Sequence, residues 1–178
     1  MLVVDLFSGT GAATKAFKDR GHRVITVDID PKLRPDIVAD IRHFPLRNLK
    51  PDFVWASPPC TEFSKFNQPG IFPNPPWPES GLELIAATQD AIASLNPRFW
   101  TIENVKGAQR FLGRPTKRCR SFLLWGRFPP FDGGPVPWKN AGRRSAGNHY
   151  IHPGAARLAA VPRQLSLALC MALERDLA

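Results

Sequence analysis

The sequence predicts an α/β fold: a mostly parallel, twisted sheet flanked by helices and formed by a single domain. Short apolar runs alternate with helical patterns along the chain, which is typical of parallel sheets. A glycine-containing turn, Ser8-Gly-Thr-Gly11, directly follows the first apolar run. Ligand-binding residue types stand where apolar runs end, and in a parallel sheet those ends share one edge. These residues are Asp28, Asp40, Cys60 and Glu103.

Apolar runs and the residues that interrupt them define each element in order. The predicted strands cover residues 2–7, 23–27, 36–39, 52–56, 99–102 and 121–125. A first helix over 12–20 ends at Gly21, and a short helix is predicted around 107–112. The capping box Ser80-Gly-Leu-Glu83 predicts a long helix that Asn96-Pro97 ends. Pro162 begins a last helix over 162–177, with an apolar face at Leu165, Leu169 and Leu173.

Charge limits the classes of partner. The formal net charge is +9, and between residues 98 and 127 Glu103 is the only acid among many basic residues. A basic face suits a polyanion such as nucleic acid, although a solvated surface gives the same composition. No run approaches the about 18 apolar residues of a membrane span, and the N-terminus lacks the basic flank of a signal peptide. We therefore expect a cytoplasmic protein without a membrane partner.

The metal-binding residue types do not form a convincing site. Three cysteines, Cys60, Cys119 and Cys170, lie far apart, which disfavours a disulfide framework and a structural zinc site. His149 and His152 form an H-x-x-H without a nearby cysteine or carboxylate, so an ordinary loop pair is favoured. We expect no metal.

The first three strand ends suggest a nucleoside-bearing cofactor. Gly9-x-Gly11 lets the backbone approach a ligand, but Thr14 replaces the third glycine of a dinucleotide motif. Asp28 is placed to accept hydrogen bonds from a ribose diol, and Asp40 from an adenine amino group. Together they favour S-adenosylmethionine over NAD.

The stretch Ser57-Pro-Pro-Cys60 carries the candidate chemistry. Carbon 5 of a pyrimidine is barely nucleophilic, and a thiolate that adds to carbon 6 turns it into an enamine carbon able to accept a methyl group. That reaction also needs a carboxyl group at the ring N3 edge and nearby positive charge. Glu103 and the pair Arg118-Cys-Arg120 offer these groups, although Glu103 capping a turn and the arginines lying on a surface are the structural alternatives.

These motifs together resemble those of the C5-cytosine DNA methyltransferases over nearly the whole chain. The matching segments are Asp5-Leu-Phe-Ser-Gly-Thr-Gly11, Asp28-Ile29, Asp40-Ile41, Pro59-Cys60 with Phe63-Ser64, Glu103-Asn104-Val105 and Arg118-x-Arg120. The resemblance implies a Rossmann-like S-adenosylmethionine-dependent methyltransferase fold. It also implies covalent catalysis through Cys60 on a flipped cytosine in DNA, as in restriction–modification enzymes.

The resemblance implies a role for each matched residue. The expected catalytic residues are Cys60, Glu103, Arg118 and Arg120. The expected cofactor-binding residues are Asp5, Phe7, Gly9, Thr10, Gly11, Asp28, Ile29, Asp40, Ile41, Pro58 and Leu82. The expected substrate-binding residues are Pro59, Ser64, Asn104, Lys117, Arg143 and Arg144, the last two as phosphate contacts.

The departures from the family pattern bear on specificity. Thr61 and Thr116 stand where the family has glutamines, and the Gly-Asn of its last motif is missing. Residues 61–78 are expected to form an active-site loop. The family places a target-recognition domain before the last helix, but here the loop-rich, basic segment 129–157 offers only about thirty residues, too few for a packed domain. We expect short or relaxed sequence specificity, or a companion subunit that supplies recognition.

Three alternatives remain at this stage. One branch of the same family methylates transfer RNA with the same residues. A catalytically idle, nucleic-acid-binding subunit would keep the fold without needing the full residue set. An NAD-linked oxidoreductase leaves Cys60 and Glu103 without roles. The compact chain also suits a prokaryotic or phage-encoded enzyme.

Overall fold

A seven-stranded mixed sheet organises the protein, in the strand order β3-β2-β1-β4-β5-β7-β6. The computed structural model describes residues 1–60, 63, 79–133 and 160–178. The strands are β1 (Leu2–Leu6), β2 (Arg23–Asp28), β3 (Ile37–Val38), β4 (Phe53–Ala56), β5 (Phe99–Asn104), β6 (Lys117–Cys119) and β7 (Phe122–Arg127). The helices are α1 (Lys15–Asp19), α2 (Glu79–Leu95), α3 (Gln109–Leu112) and α4 (Arg163–Leu177). Among these helices none is long and apolar enough to cross a membrane.

The two faces of the sheet are covered by different helices, because successive side chains of a strand point to opposite faces. On one face, α1 and α4 pack on Val3 and Trp55, chiefly through Phe17 of α1 and an apolar stripe of α4. That stripe is the predicted one: Leu165, Leu169 and Leu173, all with no exposed surface. On the other face, α2 covers Val4, Leu6 and Val54 through Ala91, Ile92 and Leu95.

Strand direction fixes where a ligand can bind. Neighbouring strands from β3 to β5 pair in parallel, whereas β7 is antiparallel to both β5 and β6. The chain leaves β1 towards β2 and β3 and then returns to β4 on the other side of β1. In open α/β sheets, such a reversal of strand order opens a crevice at the carboxyl ends of the strands. The loops after β1 and β4 border this crevice.

The prediction of a mostly parallel sheet flanked by helices is confirmed, with corrections to several boundaries. The first helix begins at Lys15 rather than at residue 12, since residues 8–14 form turns around Gly9 and Gly11. The helix predicted from a Ser80 cap already begins at Glu79. Strand β5 continues through Asn104, so Glu103 lies within it.

One strand was not predicted at all. Lys117–Cys119 forms the edge strand β6 and pairs with β7 across a tight turn at Arg120, which has a positive φ of 57°. A three-residue strand of charged and polar side chains carries no period-2 apolar signal, because its outer edge faces solvent. The single-domain prediction stays a prediction, since residues 61–62, 64–78 and 134–159 lie outside the described residues.

A charged cluster ties α4 to the amino-terminal edge of the sheet. Arg20 donates two hydrogen bonds of 2.7 Å to the Glu174 carboxylate, and His22 Nε2 lies 2.7 Å from Glu174 Oε1. The Arg20 hydrogen bond is the main cause that lowers the pKa of Glu174 to about 2. This cluster joins segments that lie far apart in the sequence. It holds α4 against the segment between α1 and β2, beside the helix layer that covers Phe17 and Trp55.

Glu174→Gln is expected to lower the free energy of unfolding at neutral pH by about 1 kcal/mol, since a bidentate but solvent-screened charged pair is lost. The pKa of Glu174 is depressed, so its stabilisation is present above about pH 4.5 and is lost as the pH falls through about 2. Urea unfolding should therefore show the difference between the variant and the wild type shrinking in acid. Asp176→Asn on the same helix is the control: its pair with Arg98 is 3.8 Å long and exposed, and should contribute under about 1 kcal/mol. Equal losses in the two variants at neutral pH would contradict the prediction.

Candidate active site

A cavity of ≈ 200 Å³ lies at the carboxyl ends of β1, β2 and β3. Its lining includes most of the residues expected to hold the adenosine part of a cofactor: Phe7, Asp28, Ile29, Asp40 and Ile41. Pro59 from the loop after β4 closes one side. The amino-terminal turns of α2 contribute Ser80, Glu83 and Leu84. Four loops and one helix that are distant in sequence thus converge on one crevice.

Asp28 is oriented by the backbone around it. Its Oδ2 accepts a 2.8 Å hydrogen bond from the Gly9 N–H, and its Oδ1 accepts one of 3.0 Å from Asp30. Gly9 and Gly11 have φ of 53° and 73°, and an added Cβ would meet no atom closer than 4.0 Å at either position. The glycines are therefore required by backbone conformation rather than by crowding. Each Asp28 oxygen keeps a second lone pair for a hydroxyl donor.

Asp40 is ionised and faces Arg42. The Arg42 side chain donates from Nε and from Nη2, the latter at 2.6 Å, and this pairing is the main cause that lowers the pKa of Asp40 to about 2. The Asp40 carboxylate also caps the following 3₁₀ turn through the Arg42 N–H. Arg42 Nη1 lies 3.9 Å from Glu83 of α2. Arg42, Ile41 and Glu83 also line a wider groove of ≈ 540 Å³ between residues 41–47 and α2.

Asp5 is buried beneath the loop that follows β1. Its Oδ2 accepts a 2.5 Å hydrogen bond from Thr14 Oγ1, and its Oδ1 is the one fully buried side-chain oxygen or nitrogen without a partner in the described part of the chain. Burial is the main cause that raises the pKa of Asp5 to about 7, and the neighbouring Asp28 raises it further while Lys18 opposes the shift. A cation bound in this crevice would favour the ionised form of Asp5.

The candidate nucleophile follows β4. Cys60 is half-buried, whereas Cys119 and Cys170 are buried. Three contacts hold the turn around it: Trp55 Nε1 donates to Ser57 Oγ at 2.7 Å, Asn104 Nδ2 donates to Pro58 O at 3.1 Å, and the Phe63 N–H donates to Cys60 O at 3.1 Å. The backbone around Cys60 is therefore fixed on both sides.

Glu103 reaches the same edge of the sheet on the neighbouring strand. Residue pairing places Ala56 of β4 opposite Ile102 of β5, so the segments that continue to Cys60 and Glu103 emerge side by side. Glu103 is only 4 % exposed. Asn104 is fully buried, and its amide binds the Pro58 carbonyl rather than facing outward. The sequence predicted Asn104 as a substrate contact, and the structure uses its side chain inside the protein.

The arginine pair lies on the hairpin of β6 and β7. Pairing through β7 places Arg118 level with Asn104, two strands away and thus about 10 Å along the sheet. Arg118 and Arg120 are both exposed. Lys117 was predicted to contact substrate, but its Nζ donates to Phe131 O at 2.8 Å and lies 5.3 Å from the centre of the Phe131 ring.

Other predicted residues are distributed as follows. Leu82 packs with the cluster around Phe63 and Trp125, and Leu84 instead lines the cavity. Thr10 is exposed, and Pro58 contributes its carbonyl to Asn104. Ser64, Arg143 and Arg144 lie outside the described residues, as do most of the predicted active-site loop 61–78 and of the segment 129–157, and the pair His149 and His152.

Sequence reasoning missed Arg42, Ser80, Glu83 and Leu84 as cavity residues. Arg42 is two positions after a predicted cofactor acid, and a cation there was a signal that the acid would be ionised and paired. The α2 residues gave no such signal, since they reach the cavity only through the packing of α2 on the sheet. His22, Cys170 and Glu174 lie close enough to share a metal ion, but Arg20 already occupies both Glu174 oxygens.

The fold and the site together place the protein in a class. The order β3-β2-β1-β4-β5-β7-β6, with only β7 reversed, agrees with the Rossmann-like S-adenosylmethionine-dependent methyltransferase fold that the sequence resemblance implied. Within that class the chain belongs to the C-5 cytosine-specific DNA methylases, whose sequence profile matches residues 1–117. The match contains Cys60 and Glu103 and ends one residue before Arg118.

Several known proteins are similar to this chain in sequence or in fold. A probable DNA (cytosine-5)-methyltransferase of Frog virus 3 is 35% identical over 117 residues, covering 58% of this chain and 53% of the relative. This chain thus spans about half the length of that relative. Among solved structures, a putative DNA modification methyltransferase encoded within an E. coli prophage matches with a TM-score of 0.46 and 22% identity over 61% of this chain and 33% of that one. The Entamoeba histolytica methyltransferase EhMeth matches with a TM-score of 0.46 and 16% identity, over 74% and 54% of the two chains.

Asp5→Asn is expected to remove a fall in the free energy of unfolding that the wild type shows as the pH rises. Because the pKa of Asp5 rises from 3.8 to about 7 on folding, the folded state keeps this proton longer, and stability falls as the pH rises across that interval. The loss is on the order of 4 kcal/mol at most. Urea unfolding at about pH 5 and about pH 8 should show a smaller decline for Asp5→Asn than for the wild type. The exposed Asp90→Asn of α2 is the control and should keep the wild-type slope, and a wild-type slope in Asp5→Asn would contradict the assignment.

Proposed function

We propose that this chain transfers a methyl group from S-adenosylmethionine to carbon 5 of cytosine in DNA through a covalent bond between Cys60 and carbon 6. The observation that carries the proposal is the convergence of Cys60 and Glu103 from the neighbouring strands β4 and β5. Asn104, directly after Glu103, binds the loop that carries Cys60. A nucleophile and a carboxyl group held together in this way match the needs of attack on a pyrimidine ring.

The cavity residues suit a cofactor that contains adenosine and carries a positive charge. Asp28 would accept the ribose hydroxyls, Asp40 the adenine amino group, and Phe7, Ile29 and Ile41 would pack on the base. Asp28 and the buried, partly unpartnered Asp5 favour a cationic cofactor. A pyrophosphate fits poorly, because the Gly9 N–H is already bonded to Asp28 and Thr14 replaces a glycine. When bound, S-adenosylmethionine supplies the electrophilic methyl group.

The chain's own residues would act in a fixed order. The Cys60 sulfur adds to carbon 6 of cytosine, while Glu103 hydrogen-bonds N3 and the exocyclic amine and so stabilises the electron density moved onto the ring. Carbon 5 then forms its bond to the methyl group, and the bond between that methyl group and the sulfonium sulfur of the cofactor would break, with the electron pair left on sulfur. A base or water removes the carbon 5 proton, the ring double bond re-forms, and the bond between the Cys60 sulfur and carbon 6 breaks. Arg120 is the proposed partner of the cytosine O2, with Arg118 beside it.

Access to carbon 6 requires the target base to leave the stack or to be single-stranded already. The segment 61–78 is the proposed loop over the base, and Arg143 and Arg144 the proposed phosphate contacts; these lie outside the described residues, except for Phe63. We expect short or relaxed specificity, since the segment 129–157 offers only about thirty residues for reading base edges. A companion subunit that supplies recognition is the alternative arrangement.

Cys60→Ala is expected to abolish methyl transfer while cofactor binding is retained, since the cavity takes Pro59 but not Cys60. Label from S-adenosylmethionine would be followed into duplex DNA, single-stranded DNA and tRNA, with products digested to nucleosides. Cys170→Ala, at a buried cysteine of α4, is the matched control and should keep activity. Label in 5-methyldeoxycytidine supports the proposal, and label only in 5-methylcytidine would move the assignment to RNA. Absence of label with every substrate, despite cofactor binding, would contradict it.

A fluorinated substrate tests the covalent step directly. With 5-fluorocytosine in DNA, carbon 5 has no proton to lose after methylation, so the bond to Cys60 cannot break by elimination. A complex resistant to denaturing gel electrophoresis is expected for the wild type, and none for Cys60→Ala. Glu103→Gln keeps the size of the side chain but loses the carboxyl group, and complex formation should slow by about 100-fold. A wild type that methylates ordinary DNA but forms no trapped complex would rule out the Cys60 adduct.

A further inference from the structure

An unusually close backbone contact joins the segment after Glu103 to the loop that carries Cys60. A Cβ atom added to Gly107 would lie 1.7 Å from the carbonyl oxygen of Phe63 and 2.8 Å from its carbonyl carbon. Real Cβ atoms essentially never approach another atom within 3.0 Å. Gly107 has no positive φ, so its backbone conformation does not require glycine. The absence of a side chain there serves the packing against Phe63.

Phe63 is the anchor on the other side of this contact. It is 5 % exposed and packs with Ile85, Ala108 and Trp125. Its ring centre lies 5.6 Å from that of Phe111. The Phe63 N–H donates to Cys60 O, so a shift of Phe63 is passed directly to the turn that holds the nucleophile.

We propose that Gly107 is a positioning residue: by admitting the Phe63 backbone, it sets the place of Cys60 relative to Glu103. Asn104 fixes the chain before Cys60 at Pro58, and Gly107 fixes it after Cys60 at Phe63. Both residues follow Glu103 within one short segment. The carboxyl group and the thiol are therefore held by one structural unit before any base arrives. This inference rests on the proposed function, in which those two groups act on one ring.

An alanine at 107 has a predictable geometric effect. To restore a 3.0 Å separation from the present 1.7 Å, Phe63 and Gly107 must move apart by about 1.3 Å. A displacement of about 1 Å in a reacting group costs roughly 100-fold in rate. The cofactor cavity is lined mainly by the loops after β1, β2 and β3 and by α2, with Pro59 as its one residue from this loop. Cofactor affinity should therefore change by less than about threefold.

Gly107→Ala would be compared with Gly21→Ala. Gly21 has a φ of +82°, and no atom lies within 4 Å of an added Cβ; its substitution strains the backbone between α1 and β2, far from the catalytic edge. Gly107→Ala should lower kcat for methyl transfer about 100-fold with little change in cofactor Kd. Gly21→Ala should keep kcat within about threefold even if its melting temperature falls equally.

Alkylation by iodoacetamide gives a second readout that needs no methyl transfer. Because Cys119 and Cys170 are buried, mass spectrometry should find one modified cysteine, Cys60, in the folded wild type. Loosening of the turn should raise the rate of Cys60 modification at least about threefold in Gly107→Ala, while the other two cysteines stay protected. Should Gly107→Ala fail to fold and expose all three, Phe63→Leu tests the same anchor from the other side, and the same pattern is expected.

The outcomes separate the two hypotheses. A wild type without methyl transfer overturns the proposed function, while Cys60 alkylation still decides the positioning role. Unchanged alkylation of Cys60 in both Gly107→Ala and Phe63→Leu overturns the positioning role, and so does wild-type kcat in an active enzyme. A loss of cofactor affinity equal to the loss of kcat would also overturn it, since the effect would then lie in the cavity.

Discussion

The parallel pairing of β4 with β5 is the constraint on which the candidate site depends. Parallel strands deliver their carboxyl ends to one edge, so the segment that carries Cys60 and the end of β5 that carries Glu103 lie side by side. The hydrogen bond from the Asn104 side-chain amide to the Pro58 carbonyl oxygen then joins the two segments. The proposed action of Cys60 and Glu103 on one pyrimidine ring depends on this register.

Three carboxyl groups at the crevice differ in their burial and in their partners. Asp28 is satisfied by backbone N–H groups, and Asp40 is paired with Arg42. Asp5 has a single hydroxyl donor, and burial raises its pKa to about 7. An unpaired buried carboxylate is costly, so this arrangement stores a preference for a positively charged ligand at the point where β1 meets its loop.

Much of this arrangement was predictable from the sequence, because strand ends and glycine turns have strong local signals. The sheet, α4 with its leucine stripe, and the acids at the ends of β2 and β3 follow from periodicity alone. The edge strand β6 and the cavity residues of α2 did not, since a short polar edge strand has no apolar period and helix residues reach a cavity only through tertiary packing. The same holds for Gly107, whose contact with Phe63 depends on a fold that the local sequence does not encode.

Strand β6, at the edge of the sheet, tolerates changes of sequence better than the central strands of the same sheet. β6 pairs with β7 alone, whereas β1, β4 and β5 each have two neighbours and a helix layer on the faces. Substitutions or insertions in β6 or in its turn at Arg120 therefore disturb a single ladder, and they leave β1, β4 and β5 in place. In the proposed enzyme, substrate contacts made from β6 are therefore open to change while the positions of Cys60 and Glu103 stay the same.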